Sequence, residues 1–243
     1  MQNRIPRRDS PRKGRVAHAG RLCRGCAGRG RWRGFQNANG GNSSGIADAA
    51  RGIESADGDH LEEFGGDGGM SWEKTTIGKH CEITSSKRIF FSDYTDHGIP
   101  FFRSKEIIEM VQHKDISESL FISQEKYDEI ACKFGVPSAG DLLLTSVGTI
   151  GIPYIIKESD HFYFKDGNLT WFRNFDTGLL SAFLYYWFLS DEGIGVLNNS
   201  TIGSSQKALT ISNIKKIQIP LFPLNIQSKI VSILSAYDSL IEN

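Results

Sequence analysis

The chain has 243 residues, 39% apolar and 11% aromatic, which supplies one or two packed domains and excludes a peptide, a rod or a disulfide-stapled mini-protein. Its 28 basic and 28 acidic residues cancel, which on average excludes the strongly basic nucleic-acid binders, but the average hides two different materials. Residues 1–69 carry 12 Lys/Arg against 8 Asp/Glu, and residues 70–243 are left with 16 bases against 20 acids, a net −4.

The first 69 residues hold 15 of the 26 glycines and ten arginines before Gly34, with almost no aliphatic residue at helical or strand spacing. Such sequence buries too little apolar surface to offset chain entropy, so residues 1–69 are predicted to be a disordered low-complexity leader. Its stretch RGCAGRGRWRG (24–34) has the composition of an Arg/Gly-rich nucleic-acid tail in which Trp32 stacks on a base. The plainer reading is sequence upstream of a true start at Met70, directly before Ser71-Trp72-Glu73, where ordered composition begins. Deleting residues 1–69 is therefore expected to leave the melting temperature unchanged; a fall of several degrees contradicts this.

Four cysteines (Cys23, Cys26, Cys81, Cys132) are too few for a disulfide scaffold, and nothing resembling a signal peptide opens the sequence, so a reducing, cytoplasmic setting is expected. Cys23 and Cys26 have the spacing of half a zinc site, but no second Cys or His pair follows at ligand spacing, so no metal and no cofactor are expected. The longest apolar run, 179–189, is far shorter than the roughly 20 residues that cross a bilayer.

From Trp72 onward, β-branched and aromatic runs bounded by Gly, Pro, Asp or Asn predict strands over 77–83, 99–102, 141–147, 152–156 and 169–172. Helical spacing predicts a helix over 123–134 with Ser123 as N-cap, and a buried one over 179–189, which is apolar all round. Strands mixed with helices in no regular βαβ alternation indicate an α+β, β-rich domain over 70–222. After an extended strip at 217–223, Ile226, Ile230, Ile233, Tyr237 and Leu240 are spaced 4, 3, 4, 3. This is the seam of a coiled-coil-type helix over 223–243 that packs along another helix and runs to Asn243 without a stop signal, although two heptads fit an ordinary amphipathic helix on its own domain as well.

The tools of DNA-modifying enzymes are missing from the sequence. An amino-methyltransferase holds its target amine in an Asn/Asp-Pro-Pro-aromatic turn, and there is no Pro-Pro pair, P-loop lysine or His-Glu-x-x-His. His80, His97, His113 and His161 fall in loops and read as solvated, and Glu125, Asp128 and Glu129 share a polar helix face. Gly148-Thr149-Ile150-Gly151 follows a strand but leads into Pro153, so it reads as a hairpin turn. Within 140–151 (GDLLLTSVGTIG), the small hydroxyls of Ser146 and Thr149 beside glycine let a backbone approach a polyanion, and such contacts go typically to phosphate oxygens. A plain tight hairpin accounts for the same residues. A second loop, 201–210 (TIGSSQKALT), brings Ser204, Ser205, Gln206 and Lys207; Gln pairs bidentately with adenine, and Lys reaches guanine or phosphate.

Trp72-x5-Gly78, Gly98-Ile99-Pro100-Phe101-Phe102-Arg103 with Lys105-Glu106-Ile107, GDLLLTSVGTIG, Gly167-Asn168-Leu169, GSSQKALT and IQIPLFPLNIQSKIVSILSAYD follow one another over about 170 residues. In this order they resemble one target-recognition domain, with the start of one conserved helix, of a type I restriction-modification specificity subunit. Phe222 replaces the middle proline of that family's "iPLPPLxEQxxIvxxL" strip, Asn225-Ile226 stands where an acidic pair is usual, and Ser146 where Arg is common. The resemblance implies a non-catalytic reader of double-stranded DNA. Partner methyltransferase (M) and restriction (R) subunits would supply the chemistry, and Asn168 joins the candidate contacts.

A family subunit has two recognition domains, each followed by a helix, so this chain is expected to be a half-subunit, a fragment or a truncated product. The helix of a second copy would then cover the seam, giving a homodimer. The net −4 opposes a DNA reader unless the bases Lys87, Arg88, Arg103, Lys105, Lys165, Arg173 and Lys207 cluster on one side with the acids elsewhere. The alternative is a protein-interaction module that dimerises through its C-terminal helix and has no DNA affinity. An undetected hydrolase or transferase would instead show a deep pocket with convergent polar groups.

Overall fold

The computed structural model describes residues 72–202 and 208–241. The expectations on residues 1–69, on Cys23 and Cys26, and on Ser204, Ser205, Gln206 and Lys207 lie outside the described residues. In chain order the first half contains β1 (Lys74–Thr76), a 3-10 turn (Ile77–Lys79), β2 (Glu82–Thr84), a second 3-10 turn (Phe91–Asp93), β3 (Tyr94–Thr95), β4 (Ile99–Phe102), α1 (Ser104–Val111), β5 (Phe121–Ile122) and α2 (Gln124–Phe134). The second half contains β6 (Leu142–Thr145), β7 (Pro153–Ile155), β8 (Tyr163–Phe164), β9 (Leu169–Arg173), α3 (Ser181–Leu189), α4 (Asp191–Asn199), α5 (Ile211–Lys215), β10 (Gln218–Pro220) and α6 (Leu224–Ile241). The architecture is α+β, as expected.

The central sheet, in the order β2-β9-β6-β7, is antiparallel throughout. Side chains alternate across it. Leu142, Leu144 and Phe172 enter one cluster with α3, while Leu143, Leu169 and Trp171 enter another with Phe102, Ile107 and Phe164. Covered on both faces, β6 is an unbroken apolar run rather than an alternating one. The second sheet, β3-β5-β4-β8, repeats the logic. Phe102 and Phe164 face the central sheet, and Phe101 and Tyr163 turn to a third cluster beneath Tyr127 and Ile130 of α2. The layers are therefore α3 with α6, the central sheet, the second sheet, and α2.

Local signals place most of these elements. Ser123 Oγ accepts from Lys126 N–H at 3.2 Å, capping α2, and α3 buries Phe183 to Phe188 without a polar face. The expected strand over 77–83 is divided. Ile77–Lys79 is a 3-10 turn in which Ile77 N–H donates to Ile217 C=O at 3.0 Å, and only Glu82–Thr84 pairs in the sheet. Gly78 lies so close to α5 that a Cβ there would stand 2.9 Å from the Lys215 carbonyl oxygen. Gly98 has φ +135°, a conformation only glycine adopts freely, and a Cβ there would run into the Ile122 carbonyl.

β1 and β10 form a separate antiparallel ribbon, Thr75 opposite Ile219, which carries the chain into α6. Eighteen residues make α6 about 27 Å long. It does not present the expected five-residue seam to one neighbour. Ile230 is fully buried and Ile226 packs against the same cluster with α3, whereas Ile233, Tyr237 and Leu240 are exposed at 36%, 62% and 73%.

The reason is polar. Gln227, 0% exposed, donates to the Gly178 and Phe222 carbonyls, both at 2.8 Å, and accepts from Leu180 N–H at 2.9 Å. Asp238 accepts from the Tyr186 hydroxyl at 2.8 Å, and burial pushes that hydroxyl's pKa well up. The buried face is Gln227, Val231, Leu234 and Asp238, with Ile230 on its border. It lies about a third of a turn from the exposed stripe.

Candidate nucleic-acid interface

Four connections and the start of one helix meet at one end of the central sheet. The hub is the turn between β8 and β9. The Asn168 carbonyl accepts from Ser104 Oγ at the start of α1 (3.2 Å) and from Ser146 N–H at the end of β6 (2.8 Å). Ser85 Oγ, just beyond β2, donates to the Leu169 carbonyl and accepts from Gly167 N–H, and Arg88 Nε meets Asp166 at 3.0 Å. Val147 pairs with Ala208, Leu209 N–H donates to the Ser146 carbonyl at 2.9 Å, and Ile202 pairs with Ala208. The two residues flanking 203–207 are thereby fastened beside the β6–β7 turn.

Most of the residues singled out by sequence fall at this end, in different states. Lys105 and Thr149 are exposed and line one open cleft of about 390 Å³ with Ser104, Glu109, Gln112 and Lys114. Lys165 is exposed beside the hub, and its backbone N–H donates to the Phe102 carbonyl at 2.8 Å. The Arg88 side chain is 69% exposed despite its ion pair. Lys87 lines a second cleft with Trp171 and Arg173 instead, its Nζ 4.5 Å above the Phe134 ring centroid, with no carboxylate partner among the described residues.

Three residues are committed to the protein instead, among them Arg173, whose guanidinium meets Glu82 at 2.6 Å and donates to the Phe134 carbonyl at 3.0 Å. Arg103 binds Glu106, which is 0% exposed, at 2.6 Å and Glu118 at 2.7 Å. These hydrogen bonds, Glu106 first, raise the guanidinium's pKa further. The Ser146 hydroxyl is 2.6 Å from the Thr170 hydroxyl and donates to the Leu144 carbonyl, inside the sheet at 2% exposure.

The helix α1, with Gln112 just past its end and Lys114 beyond, was missed in the sequence. The available signal was Ile107, Met110 and Val111 at helical spacing, all of which pack on one cluster. The acids nearby are held by neighbours. The Ser117 hydroxyl and backbone N–H keep Glu109 below the ordinary carboxylate range, and Arg103 does the same for Glu118.

His80 is not the solvated loop residue expected. Its side chain is 13% exposed; Nε2 lies 2.9 Å from Thr75 Oγ1 and Nδ1 2.9 Å from Asp176 Oδ2. Thr75 is the buried residue of β1, so the three side chains tie β1 to the connection before α3. Among the described residues no group of three His, Cys, Asp or Glu could hold a metal, and no helix is long and apolar enough to cross a membrane.

Lysines, an amide and hydroxyls are thus gathered on the turns at one end of an α+β core, around an open cleft. Residues 70–243 match the family model of the type I restriction modification DNA specificity domain, and the chain belongs to that family. Among curated proteins it is 34% identical over 120 residues to the type I restriction enzyme specificity subunit S.HindORF215P of Haemophilus influenzae, covering 49% of this chain and 30% of that one. It is 32% identical over 114 residues to the type I restriction enzyme MjaIX specificity subunit of Methanocaldococcus jannaschii, covering 46% of this chain and 25% of that one.

Two solved structures share the fold. One is the HsdS subunit of Thermoanaerobacter tengcongensis (TM-score 0.50, 19% identity, 82% of this chain and 45% of that one). The other is a chain from a structure of a type I R-M system (TM-score 0.52, 18% identity, 81% and 47%). The chain thus spans a third or less of these curated relatives and just under half of these structures.

Proposed function

We propose that residues 72–241, with the 203–207 loop, read a DNA sequence as part of a type I specificity subunit and direct partner methyltransferase and restriction subunits, without doing chemistry themselves. The observation that carries this is the meeting of the β6–β7 turn, the β8–β9 turn, α1 and the stems of 203–207 at one end of the central sheet. Lysines there supply sequence-independent attraction to phosphates, and amide and hydroxyl side chains supply base-edge contacts. In the presence of the partner methyltransferase, the chain is expected to confer methylation of one duplex sequence. Methylation or cleavage by the purified chain alone contradicts the reading.

Within this reading the side chains divide by role. Lys105→Ala is expected to weaken binding to all sequences alike and to lower the salt slope by about 1, whereas Gln206→Ala relaxes preference at one base pair by about 1–3 kcal/mol. Competition titrations at several salt concentrations distinguish the two.

A second reading concerns assembly, and the exposed Ile233, Tyr237 and Leu240 favour it. This stripe fits the equivalent helix of a second copy, related by a twofold, which would place two reading domains on an inverted repeat. Three exposed side chains support only weak, concentration-dependent dimerisation. Sedimentation is expected to show it in the wild type and not in Tyr237→Asp/Leu240→Asp; a wild-type monomer at high concentration contradicts it.

A further inference from the structure

The most exposed large apolar side chain among the described residues is Phe91, at 87%, and its neighbour Phe90 is exposed at 62%. Two adjacent phenyl rings in water invite an explanation, because apolar surface left out of a core commonly marks a contact site. They are not on a loose loop. Asp93 closes the turn beneath them: its Oδ2 accepts from Phe90 N–H at 2.9 Å, and its own N–H donates to the Phe90 carbonyl at 2.9 Å. Phe91 packs edge-on against Tyr94, ring centroids 5.8 Å apart. On one side of the turn Lys87 N–H donates to the Tyr163 hydroxyl and Arg88 is paired with Asp166; on the other Lys126 lies near Asp93. The rings are therefore presented on a braced turn.

Their surroundings favour one kind of partner. Arg88 contacts the β8–β9 turn at the hub of the reading end, and Phe91 is three residues further on, within roughly 11 Å along the chain. The cations Lys87 and Arg88 precede the rings, so a polyanion would be held at their foot. Two phenyl rings supply a few hundred Å² at most, well short of the roughly 800 Å² per side of a stable protein interface, but enough to fill one opened base step.

We propose that Phe91, backed by Phe90, is a wedge that enters between two base pairs of the bound duplex and bends it, with Lys87 and Arg88 on the adjoining phosphates. An apolar side chain in an opened step replaces lost base stacking by ring stacking, and steps that unstack readily accept it at least cost. The turn thereby adds selectivity for deformable steps at positions where no side chain reads a base edge.

This inference rests on the DNA-reading function, and the test separates the two. The full chain with its methyltransferase partner is used to select duplexes from a randomised pool. The recovered duplex, labelled with a fluorophore at each end, is then bound by the wild type, Phe91→Ala and Phe90→Ala/Phe91→Ala. Both rings are exposed, so the variants are expected to keep the wild-type melting temperature.

The wild type is expected to shorten the end-to-end distance. The variants should lose most of that change and bind roughly 5- to 100-fold more weakly. A mismatch placed at the wedged step should restore part of their affinity, because the step is already unstacked. Variants that bend and bind the duplex like the wild type overturn the wedge alone. So do variants that keep DNA binding but lose the methyltransferase, which would make the rings a protein contact. Failure of the wild type to enrich any duplex overturns the DNA-reading function, and the wedge with it.

Discussion

Arg103→Ala is expected to lower the unfolding free energy by about 3–5 kcal/mol, because it strands the Glu106 carboxylate, 0% exposed, without its cation. For a domain of this size that corresponds to a fall of roughly 6–20 °C in Tm, readable by calorimetry. The Glu106 carboxylate also accepts from Arg103 N–H at 2.7 Å, so one acid holds both the backbone and the guanidinium where β4 passes into α1. Converting the pair to apolar residues, Arg103→Met with Glu106→Leu, is expected to recover part of the loss, since no buried charge then remains.

The single substitution also releases Glu118. Arg103 holds its carboxyl below the ordinary range, so the Glu118 midpoint should rise when followed by NMR. A depressed carboxylate stabilises the fold above its unfolded pKa, and that contribution is lost as pH falls through the folded value. Any share Glu118 has in the wild-type advantage is therefore present at neutral pH and fades on acidification. If Arg103→Ala kept full stability and lost only DNA affinity, the assignment of Arg103 to the fold would be wrong.

Gln227→Ala is expected to cost about 3 kcal/mol or more. It removes three hydrogen bonds at once and leaves Leu180 N–H and the Gly178 and Phe222 carbonyls without the partner that joins α6 to the start of α3. The first turns of α6 should then exchange their amide hydrogens faster than the central sheet. Tyr237→Ala, on the exposed stripe, should leave the stability of the isolated chain unchanged. Equal effects of the two would mean that α6 is not fixed by its polar face.

These two residues also show where sequence reading stops. β4, β6, α2 and α3 were legible because their signals are local: an apolar run bounded by turn residues, a serine cap, a helix apolar all round. The two-residue strands β5 and β8 exist only through their pairing, β5 with β3 and β4 and β8 with β4, and carry no pattern of their own. In the divided strand 77–83, Ile77 N–H is taken by the distant Ile217 carbonyl, which no window around Gly78 contains. On α6 the five apolar residues share one spacing, yet Ile230 is buried while Ile233, Tyr237 and Leu240 are exposed. The helix is oriented by Gln227 and Asp238, which an apolar pattern passes over.

The reading end follows the same division. Lys105 and Thr149 were recognisable as candidates from residue type, but that they share a cleft with Gln112 and Lys114 required the fold. Charge alone does not distinguish Arg103, engaged with two carboxylates, from Lys87, which has none beside it among the described residues. Nor does a hydroxyl in a glycine-rich stretch reveal that Ser146 turns inward to Thr170 while Thr149 faces water.

The most direct test of the DNA-reading function is selection from a randomised duplex pool by the full chain with its methyltransferase partner, at near-physiological salt, followed by sequencing. The expected result is enrichment of one motif whose affinity falls steeply as salt rises, with the motif's preference at one position relaxed in Gln206→Ala and unchanged in Lys105→Ala. A pool that emerges without an enriched sequence, or a motif identical when this chain is left out, would contradict it.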